Sequence, residues 1–210
     1  MKDMVKIALN LVIIFCISGA IMAAVYGKTE PRIKKIIRQE TQKALKSLIP
    51  EAAFINSAGT YDPLPGRSAK YYVARDKSGK PIGYIATSYS KGYKSILKMM
   101  VAADTTMRLK GIKILEEDET PGLGDDIKKP WFQKQFAGKT MDQLVVVKVP
   151  DPTKILAITG ATISSRDCTN GVKAGLNQLI KTYLPNQQPG QQPGQQNVPG
   201  NGGKSAGGQK

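Results

Sequence analysis

The segment at residues 159–165, with the sequence TGATISS, is the part of the chain best suited to bind an anion. It follows the apolar run at 155–158 and precedes a predicted helix from about residue 165 to 183. Small residues let the backbone approach a ligand, and the free N–H groups of a helix N-terminus attract a phosphate. The same residues also fit an ordinary helix start, because Ser164 and Asp167 are spaced as in a capping box. Both interpretations remain open on these residues alone.

A second segment with possible binding chemistry is ETPGLG at residues 119–124. Pro followed by Gly favours a tight turn, and the second Gly leaves the backbone exposed around the side chain of Leu123. Such a segment is either an ordinary loop or a narrow wall against which a flat ligand lies. Its spacing does not decide between the two.

Composition excludes several other kinds of site. The 210 residues include no histidine, so the chain has no Ser-His or Cys-His pair and no histidine-bearing metal site. Two cysteines, Cys16 and Cys168, cannot form a disulfide framework. We therefore expect neither a catalytic acid or base nor a metal ion. The net charge of +15 is scattered and few aromatic residues accompany it, so we do not expect nucleic-acid binding.

The N-terminal elements predict attachment to a membrane. Residues 7–27 carry no charge and are long enough to cross a bilayer as a helix, which favours an uncleaved anchor at 1–27 over a cleaved signal peptide. Residues 28–50 predict a separate amphipathic juxtamembrane helix with Pro31 in its first turn. This helix is richer in Lys and Arg than the segment before the anchor, which by charge alone places the domain inside the cell. The charge rule is weak for long domains.

The remaining chain predicts one domain at 51–184 and a disordered Gln/Pro/Gly-rich tail at 185–210. Short β-rich runs are expected at 71–74, 82–86, 96–103, 109–115 and 144–149, with a hairpin turn at Ser78-Gly79. Helices are expected near 126–136 and at about 165–183. This pattern favours an α+β fold, with a mainly antiparallel sheet and flanking helices.

Taken in order behind one anchor, these segments resemble the FMN-binding domain shared by two protein families. One is the G subunit of Rnf electron-transport complexes, and the other is the C subunit of sodium-pumping NADH:quinone oxidoreductases. The resemblance extends from the anchor to about Leu184. It rests on Gly92-Tyr93 before the run at 96–104, on 119–124, on Trp131-Phe132 with the Phe-Ala-Gly at 136–138, and on 159–165. The order of the parts is more similar to the Rnf protein.

The resemblance implies an FMN attached by a phosphoester bond to the hydroxyl of Thr162, formed by an FMN transferase that uses FAD. The phosphate would be received by the N–H groups of Ile163, Ser164 and Ser165. The other residues that the resemblance places at the cofactor are Thr159, Gly160, Ala161, Ser164, Ser165, Glu119, Thr120 and Leu123.

The function implied is that of a membrane-anchored flavoprotein that relays electrons within an ion-translocating ferredoxin:NAD oxidoreductase. Its expected partners are the other membrane and redox subunits and membrane lipid. The implied location is the cell inner membrane, single-pass, with the domain on the extracytoplasmic side. The alternatives are the C subunit of a sodium-pumping complex and a flavin-free membrane-anchored interaction module.

Two positions depart from the family pattern. Leu156 stands where the family usually has Asp, and Glu117 stands where Rnf relatives often have His. Lys94 and Lys98 lie near the motifs and would either stabilise a reduced anionic flavin or be ordinary solvated lysines.

Overall fold

The computed structural model describes residues 2–184, so the predicted tail at 185–210 lies outside the described residues. Its helices are α1 (Lys2–Leu48), α2 (Pro130–Lys134) and α3 (Thr162–Tyr183). Its strands are β1 (Phe54–Leu64), β2 (Arg67–Arg75), β3 (Pro81–Lys91), β4 (Ile96–Ala103), β5 (Leu109–Glu116), β6 (Val146–Val147) and β7 (Ile155–Leu156). Two short 3-10 helices, Gly124–Lys128 and Met141–Gln143, complete the chain.

Helix α1 joins the predicted anchor and the predicted juxtamembrane helix in one element. Its apolar stretch is long enough to cross a membrane and has no contact with the domain. Pro31 lies inside this helix rather than at the start of a new one. Proline keeps a helical φ but lacks the N–H that would bond the carbonyl four residues earlier, and its ring crowds that carbonyl, so it weakens the helix locally without ending it here. The last turns of α1 bury Ala44, Leu45 and Leu48 against the sheet.

The sheet is antiparallel throughout and follows the order β1-β2-β3-β4-β5. This confirms the α+β prediction and the β2–β3 hairpin around Ser78-Gly79. Asp76 stabilises that turn by accepting hydrogen bonds from the backbone N–H groups of Ser78 and Lys80 at 2.8 and 3.0 Å. The predicted strand at 144–149 is only the two-residue β6, which pairs in parallel with β7.

Strand β1 is the long element that sequence patterning missed, and the two-residue β7 was not predicted as a strand either. Strand β1 is an edge strand with two register irregularities against β2, one between Ser57 and Gly59 and one between Tyr61 and Leu64. Such irregularities break the alternation of apolar and polar residues that identifies a strand. Pro63 is tolerated because an edge strand need not donate every N–H.

The two faces of the sheet pack against different helices. In β4, Leu97, Met99 and Val101 join the core beneath α3, whereas Met100 and Ala102 join the core beneath α1. Successive side chains of a strand point to opposite faces, which explains this division. The N-terminus of α3 is thereby held on the face opposite to the membrane-linked helix.

Helix α3 lies unusually close to the sheet. Gly171 and Gly175 face β3 and β4, and the hydroxyl of Ser88 donates a hydrogen bond to the carbonyl of Gly171 at 2.8 Å. The predicted inner face is confirmed, since Cys168, Val172, Leu176 and Leu179 are fully buried, with Ile180 and Tyr183 packed partly against the same core.

Candidate cofactor site

A pocket of about 420 Å³ lies at the N-terminus of α3. Three segments form it: the β3–β4 connection, the loop at 119–124, and residues 160–164. The lining residues are Tyr93, Thr120, Leu123, Gly124, Gly160, Ala161, Thr162, Ile163 and Ser164. The fold therefore brings together the two segments that the sequence singled out, although about 40 residues separate them along the chain.

The first turn of α3 leaves three backbone donors without acceptors. Ala161 is the N-cap residue and makes no side-chain capping bond. Within residues 2–184, no acceptor bonds the N–H groups of Thr162, Ile163 or Ser164, which are the first three of the helix. Such groups, together with the helix dipole, form an anion-binding site.

Two expectations about this turn are wrong. The helix begins at Thr162 rather than near residue 165, so Ser164 and Asp167 do not form a capping box. The N–H of Ser165 donates to the carbonyl of Ala161 at 3.0 Å and is unavailable to a ligand. The set of available donors is therefore shifted by one residue, to 162–164.

Three of the predicted site residues, Ser165, Thr159 and Glu119, lie outside the pocket lining. Ser165 is fully buried; its hydroxyl donates to the carbonyl of Ala161 at 2.9 Å and accepts the N–H of Ile158 at 3.0 Å. It thus holds the chain entering α3. Thr159 is exposed and does not line the pocket. Two hydroxyl-bearing residues of this segment line the pocket beside the free donors, Thr162 and Ser164, and the Ser164 hydroxyl already donates to Glu119.

Glu119, also predicted as a cofactor residue, instead joins the three walls of the pocket. Its side chain is buried, and its Oε2 accepts the hydroxyl of Ser164 on α3 at 2.7 Å. Its Oε1 accepts the backbone N–H groups of Lys94 and Ser95, each at 3.1 Å, and the Ser95 hydroxyl at 3.2 Å. Both carboxylate oxygens are engaged within the protein. Glu119 therefore connects the walls of the pocket and does not itself line it.

The hydrogen bonds to Glu119 also set its ionisation. Burial acts to raise the pKa of this carboxyl, but the bonds from Ser164, Lys94 and Ser95 favour the charged form. Their combined effect is larger, and the pKa lies below its ordinary value.

Glycine is required where the loop approaches α3. A Cβ atom on Gly124 would lie 2.7 Å from the Ser164 hydroxyl and 2.8 Å from Cβ of Glu119. Gly160 has a φ of +80°, a conformation that other residues rarely adopt, and a Cβ there would lie 3.0 Å from the side chain of Leu123. These two glycines allow the two segments to meet.

The pocket opening is bordered by exposed apolar side chains. Tyr93 is 68% exposed, Ile163 51% and Leu123 43%. Large apolar groups clustered around a concave site are typical of ligand binding. Sequence reasoning proposed Leu123 and the backbone N–H of Ile163, but it did not name Tyr93, Gly124 or the Ile163 side chain as lining. The Gly-Tyr pair before β4 was a visible signal for Tyr93.

The positions that depart from the family pattern have structural roles of their own. The carboxylate of Glu117 accepts the N–H of Glu119 at 2.7 Å and forms an ion pair with Lys128 at 2.8 Å, so it stabilises the start of the loop. Leu156 exchanges backbone hydrogen bonds with the side chain of Gln135.

Neither nearby lysine side chain lines the pocket. Lys98 belongs to the α1 face of the sheet and pairs with Glu116 at 2.5 Å, which favours the alternative of an ordinary lysine over a role at the flavin. Lys94 forms an exposed ion pair with Asp118 at 3.6 Å.

Comparison with known proteins agrees with this site. A family model described as FMN-binding domain matches residues 92–177, which include all of the lining residues. The G subunit of the proton-translocating ferredoxin:NAD(+) oxidoreductase complex of Clostridium ljungdahlii is 37% identical over 174 residues, covering 81% of this chain and 88% of that protein. The G subunit of the Na(+)-translocating ferredoxin:NAD(+) oxidoreductase complex of Acetobacterium woodii is 28% identical over 197 residues, covering 87% of this chain and 92% of that protein.

Among solved structures, the C subunit of the Na(+)-translocating NADH-quinone reductase of Parabacteroides distasonis is similar in part. It is 25% identical, with a TM-score of 0.49, and the match covers 61% of this chain and 70% of that one.

Proposed function

The chain belongs to the family of G subunits of ion-translocating oxidoreductase complexes, and we propose that it relays electrons through an FMN bound covalently to Thr162. The family makes it an electron-transfer subunit of an oxidoreductase complex, and its matched domain is an FMN-binding one. We propose in addition that the FMN is covalently attached, which residues contact it, and on which side of the membrane the domain lies.

The observation that carries the proposal is the position of Thr162. This residue lines the pocket at the first turn of α3, beside the three backbone N–H groups of residues 162–164 that have no acceptor within the described chain. A phosphate esterified to its hydroxyl would place negative charge where the donors and the helix dipole are most favourable. Formation of that ester from FAD, by a separate transferase, joins the Thr162 oxygen to the FMN phosphorus and releases AMP.

The rim of the pocket suits the ring system of the same cofactor. Tyr93, Leu123 and Ile163 present exposed apolar surface around the opening, and Thr120 adds a polar group. When bound, FMN supplies one- and two-electron redox chemistry, and the protein contributes binding and orientation. In this pocket the backbone donors at 162–164 would hold the phosphate, and the apolar side chains at the opening would pack against the ring system. The buried carboxylate of Glu119, close to the pocket, is already hydrogen-bonded through both oxygens.

Helix α1 supports the proposal that the protein acts as one subunit of a larger membrane complex. An apolar segment of α1 is long enough to cross a bilayer, which fits a single-pass protein of an ion-translocating complex. We place the domain on the extracytoplasmic side, in contact with the other membrane and redox subunits.

The test is the intact mass of the full chain, produced together with an FMN transferase that uses FAD. We expect one FMN per chain, with the loss of one water, and ultraviolet fluorescence that persists in a denaturing gel. Thr162→Ala should abolish covalent loading and Thr162→Ser should restore part of it, since serine keeps the hydroxyl. Because Thr162 adds little to the core, the Ala variant should remain folded.

The matched control is Thr159→Ala in the same segment, which removes a hydroxyl that does not line the pocket. It should lower loading only in part. Covalent flavin on a Thr162→Ala chain would show that the attachment site is elsewhere. A chain that binds no FMN at all, with the transferase active on a known substrate, would contradict the proposed cofactor.

A further inference from the structure

A second pocket, of about 520 Å³, lies between α1 and the face of the sheet opposite to the cofactor site. On the helix side it is lined by one stripe of α1, which includes Lys34, Arg38 and Leu45. These residues are spaced at four and seven positions and therefore share a face of the helix. On the sheet side, Lys70 of β2 and Lys98 of β4 complete the basic lining. The cofactor proposed above does not use this pocket.

Positive charge dominates the pocket. Its lining includes four basic side chains and no carboxylate. Lys34 pairs with Glu30 and Lys98 with Glu116, and both of these carboxylates are at the surface. Arg38 and Lys70 have no ion-pair partner within residues 2–184.

The ring of Tyr89, which also lines the pocket, has two cations near it. The guanidinium carbon of Arg67 is 5.6 Å from the ring centre, and Nζ of Lys98 is 6.0 Å from it. Lys98 is already paired with Glu116, whereas Arg67 has no ion-pair partner within residues 2–184 and would gain from a nearby anion. The pocket is therefore suited to a negatively charged ligand.

The position of the pocket on α1 indicates the source of that ligand. The apolar run ends at Gly27, and Lys34 follows seven residues later in the same continuous helix. At 1.5 Å per residue, its Cα is about 10 Å from the end of the apolar run. The headgroup layer is about 5–7 Å thick on each side of the bilayer, and a lysine side chain extends to meet it. Pro31 lies between the two positions and weakens the helix there, so the domain can lean toward the lipid.

We propose that this pocket binds the headgroup of an anionic phospholipid, with its phosphate between the basic side chains of α1 and those of the sheet. Hydroxyl and amide groups line the same space, namely Thr41, Gln42, Ser68 and Thr87. They favour a headgroup that itself carries hydroxyls, such as glycerol. The acyl chains remain in the bilayer. The lipid then fixes the angle between the anchor and the domain.

The experiment measures binding of short-chain phosphatidylglycerol and phosphatidylcholine to the full chain in neutral detergent, by native mass spectrometry. Wild type should prefer phosphatidylglycerol. The double variant Lys34→Gln with Arg38→Gln should bind it roughly 30-fold more weakly, since each basic residue near a lipid contributes roughly a factor of five. Lys70→Gln, on the sheet side, should weaken binding roughly five-fold.

The matched control is Lys35→Gln with Lys46→Gln, which removes two charges from exposed positions of α1 that do not line the pocket. It should retain the affinity of wild type. Equal loss in both double variants, or no effect of Lys70→Gln, would show general adsorption of a basic helix and overturn the pocket assignment.

Two competitors distinguish the source of the anion. Inorganic phosphate at the lipid concentration should not displace phosphatidylglycerol, and displacement would assign the pocket to a free phosphate. A hexaglutamate peptide should bind more weakly than the lipid, and tighter binding through the same residues would assign it to an acidic protein segment. The FMN content of every variant should equal that of wild type, because the cofactor site lies on the other face of the sheet.

Discussion

Glu119 is the residue on which the shape of the cofactor pocket most depends. It connects the loop that carries Leu123 to α3 through Ser164, and to the β3–β4 connection through Lys94 and Ser95. A buried carboxylate in this position is stable only while its hydrogen bonds persist. The pocket walls are thus coupled through one side chain that does not itself line the pocket.

We predict that Glu119→Gln lowers the free energy of unfolding by about 2 kcal/mol, because hydrogen bonds to a charged group contribute more than those to a neutral one. Glu119→Ala should lower it further and reduce FMN loading, since all three walls lose their connection. Thermal unfolding of the full chain in neutral detergent provides the measurement. Asp118→Asn makes the same change of charge one residue earlier at an exposed position, and should change stability by less than about 0.5 kcal/mol.

The ionisation of Glu119 predicts that the difference in stability between wild type and Glu119→Gln depends on pH. Its pKa is held below the ordinary value of 4.5, so its contribution to stability is complete above pH 4.5. That contribution is lost as the pH falls through the lower pKa of the folded state. The difference in Tm between the two proteins should therefore be constant from pH 7 to about 5 and then decrease. A difference that grows on acidification would contradict the proposed role of the charged carboxylate.

Among the elements, α3 has two roles, which belong to different parts of the helix. Its first turn offers the backbone donors at 162–164, and its middle fixes the position of those donors by close contact with the sheet. Gly175 is central to this contact, because a Cβ atom there would lie 2.9 Å from Cγ2 of Val101 and 3.1 Å from Cβ of Ser88. Neither neighbour is a flexible side chain that can move away. The helix therefore depends on glycine where helix propensity alone would disfavour it.

We predict that Gly175→Ala destabilises the protein by about 1–2 kcal/mol, although alanine is the better helix former. The added methyl group must push α3 away from β3 and β4, and FMN loading should fall with it. Asn177→Ala, two residues later on the exposed side, is the control and should be neutral or slightly stabilising. Thermal unfolding of both variants checks the sign. A gain in Tm for Gly175→Ala would mean that the sheet adjusts at no cost.

In the molecule as a whole, the five-stranded sheet separates two environments. Helix α1 approaches one face and carries the apolar segment, whereas α3 covers the other face and forms the cofactor pocket. The membrane attachment and the cofactor site are thus independent in their packing, and variants of one should leave the other intact.

The proposed orientation predicts which cysteine variants a membrane-impermeant thiol reagent labels in intact cells whose outer barrier is permeable. Ser78→Cys, in the exposed β2–β3 turn, should be labelled without lysis. The reason is that a long folded domain is exported despite the basic residues after the anchor. Asp3→Cys, at the other end of the anchor, is the control and should be labelled only after lysis.

The native cysteines give little background in this experiment. Cys16 lies in the apolar segment, and Cys168 is fully buried. Burial raises the pKa of the Cys168 thiol to about 12, so the reactive thiolate is scarce at the pH of labelling. Labelling of the two introduced cysteines in the reverse order would place the domain in the cytoplasm.

Features that depend on local pattern could be predicted from the amino-acid order. The uncharged run at 7–27 is identified by its length, and strands β2 to β5 and the inner face of α3 by the spacing of their apolar residues. The two loop motifs were also visible, because glycine and proline carry their backbone preferences with them. The short β6 and the irregular β1 were the elements that pattern could not define, since neither maintains a period long enough.

Contacts between residues that are far apart in the sequence could be assigned only from the tertiary structure. The carboxylate of Glu119 proved to be a connector because Ser164, 45 residues later, reaches it. Lys98 proved to face α1 because the register of β4 sends alternate side chains to opposite sides. The available donors at 162–164 followed from where α3 begins, which depends on the Ser165 hydroxyl bonding Ala161 and Ile158. Hydrogen bonds between residues far apart in the sequence produce no repeating pattern in the amino-acid order. For that reason only the tertiary structure could assign them.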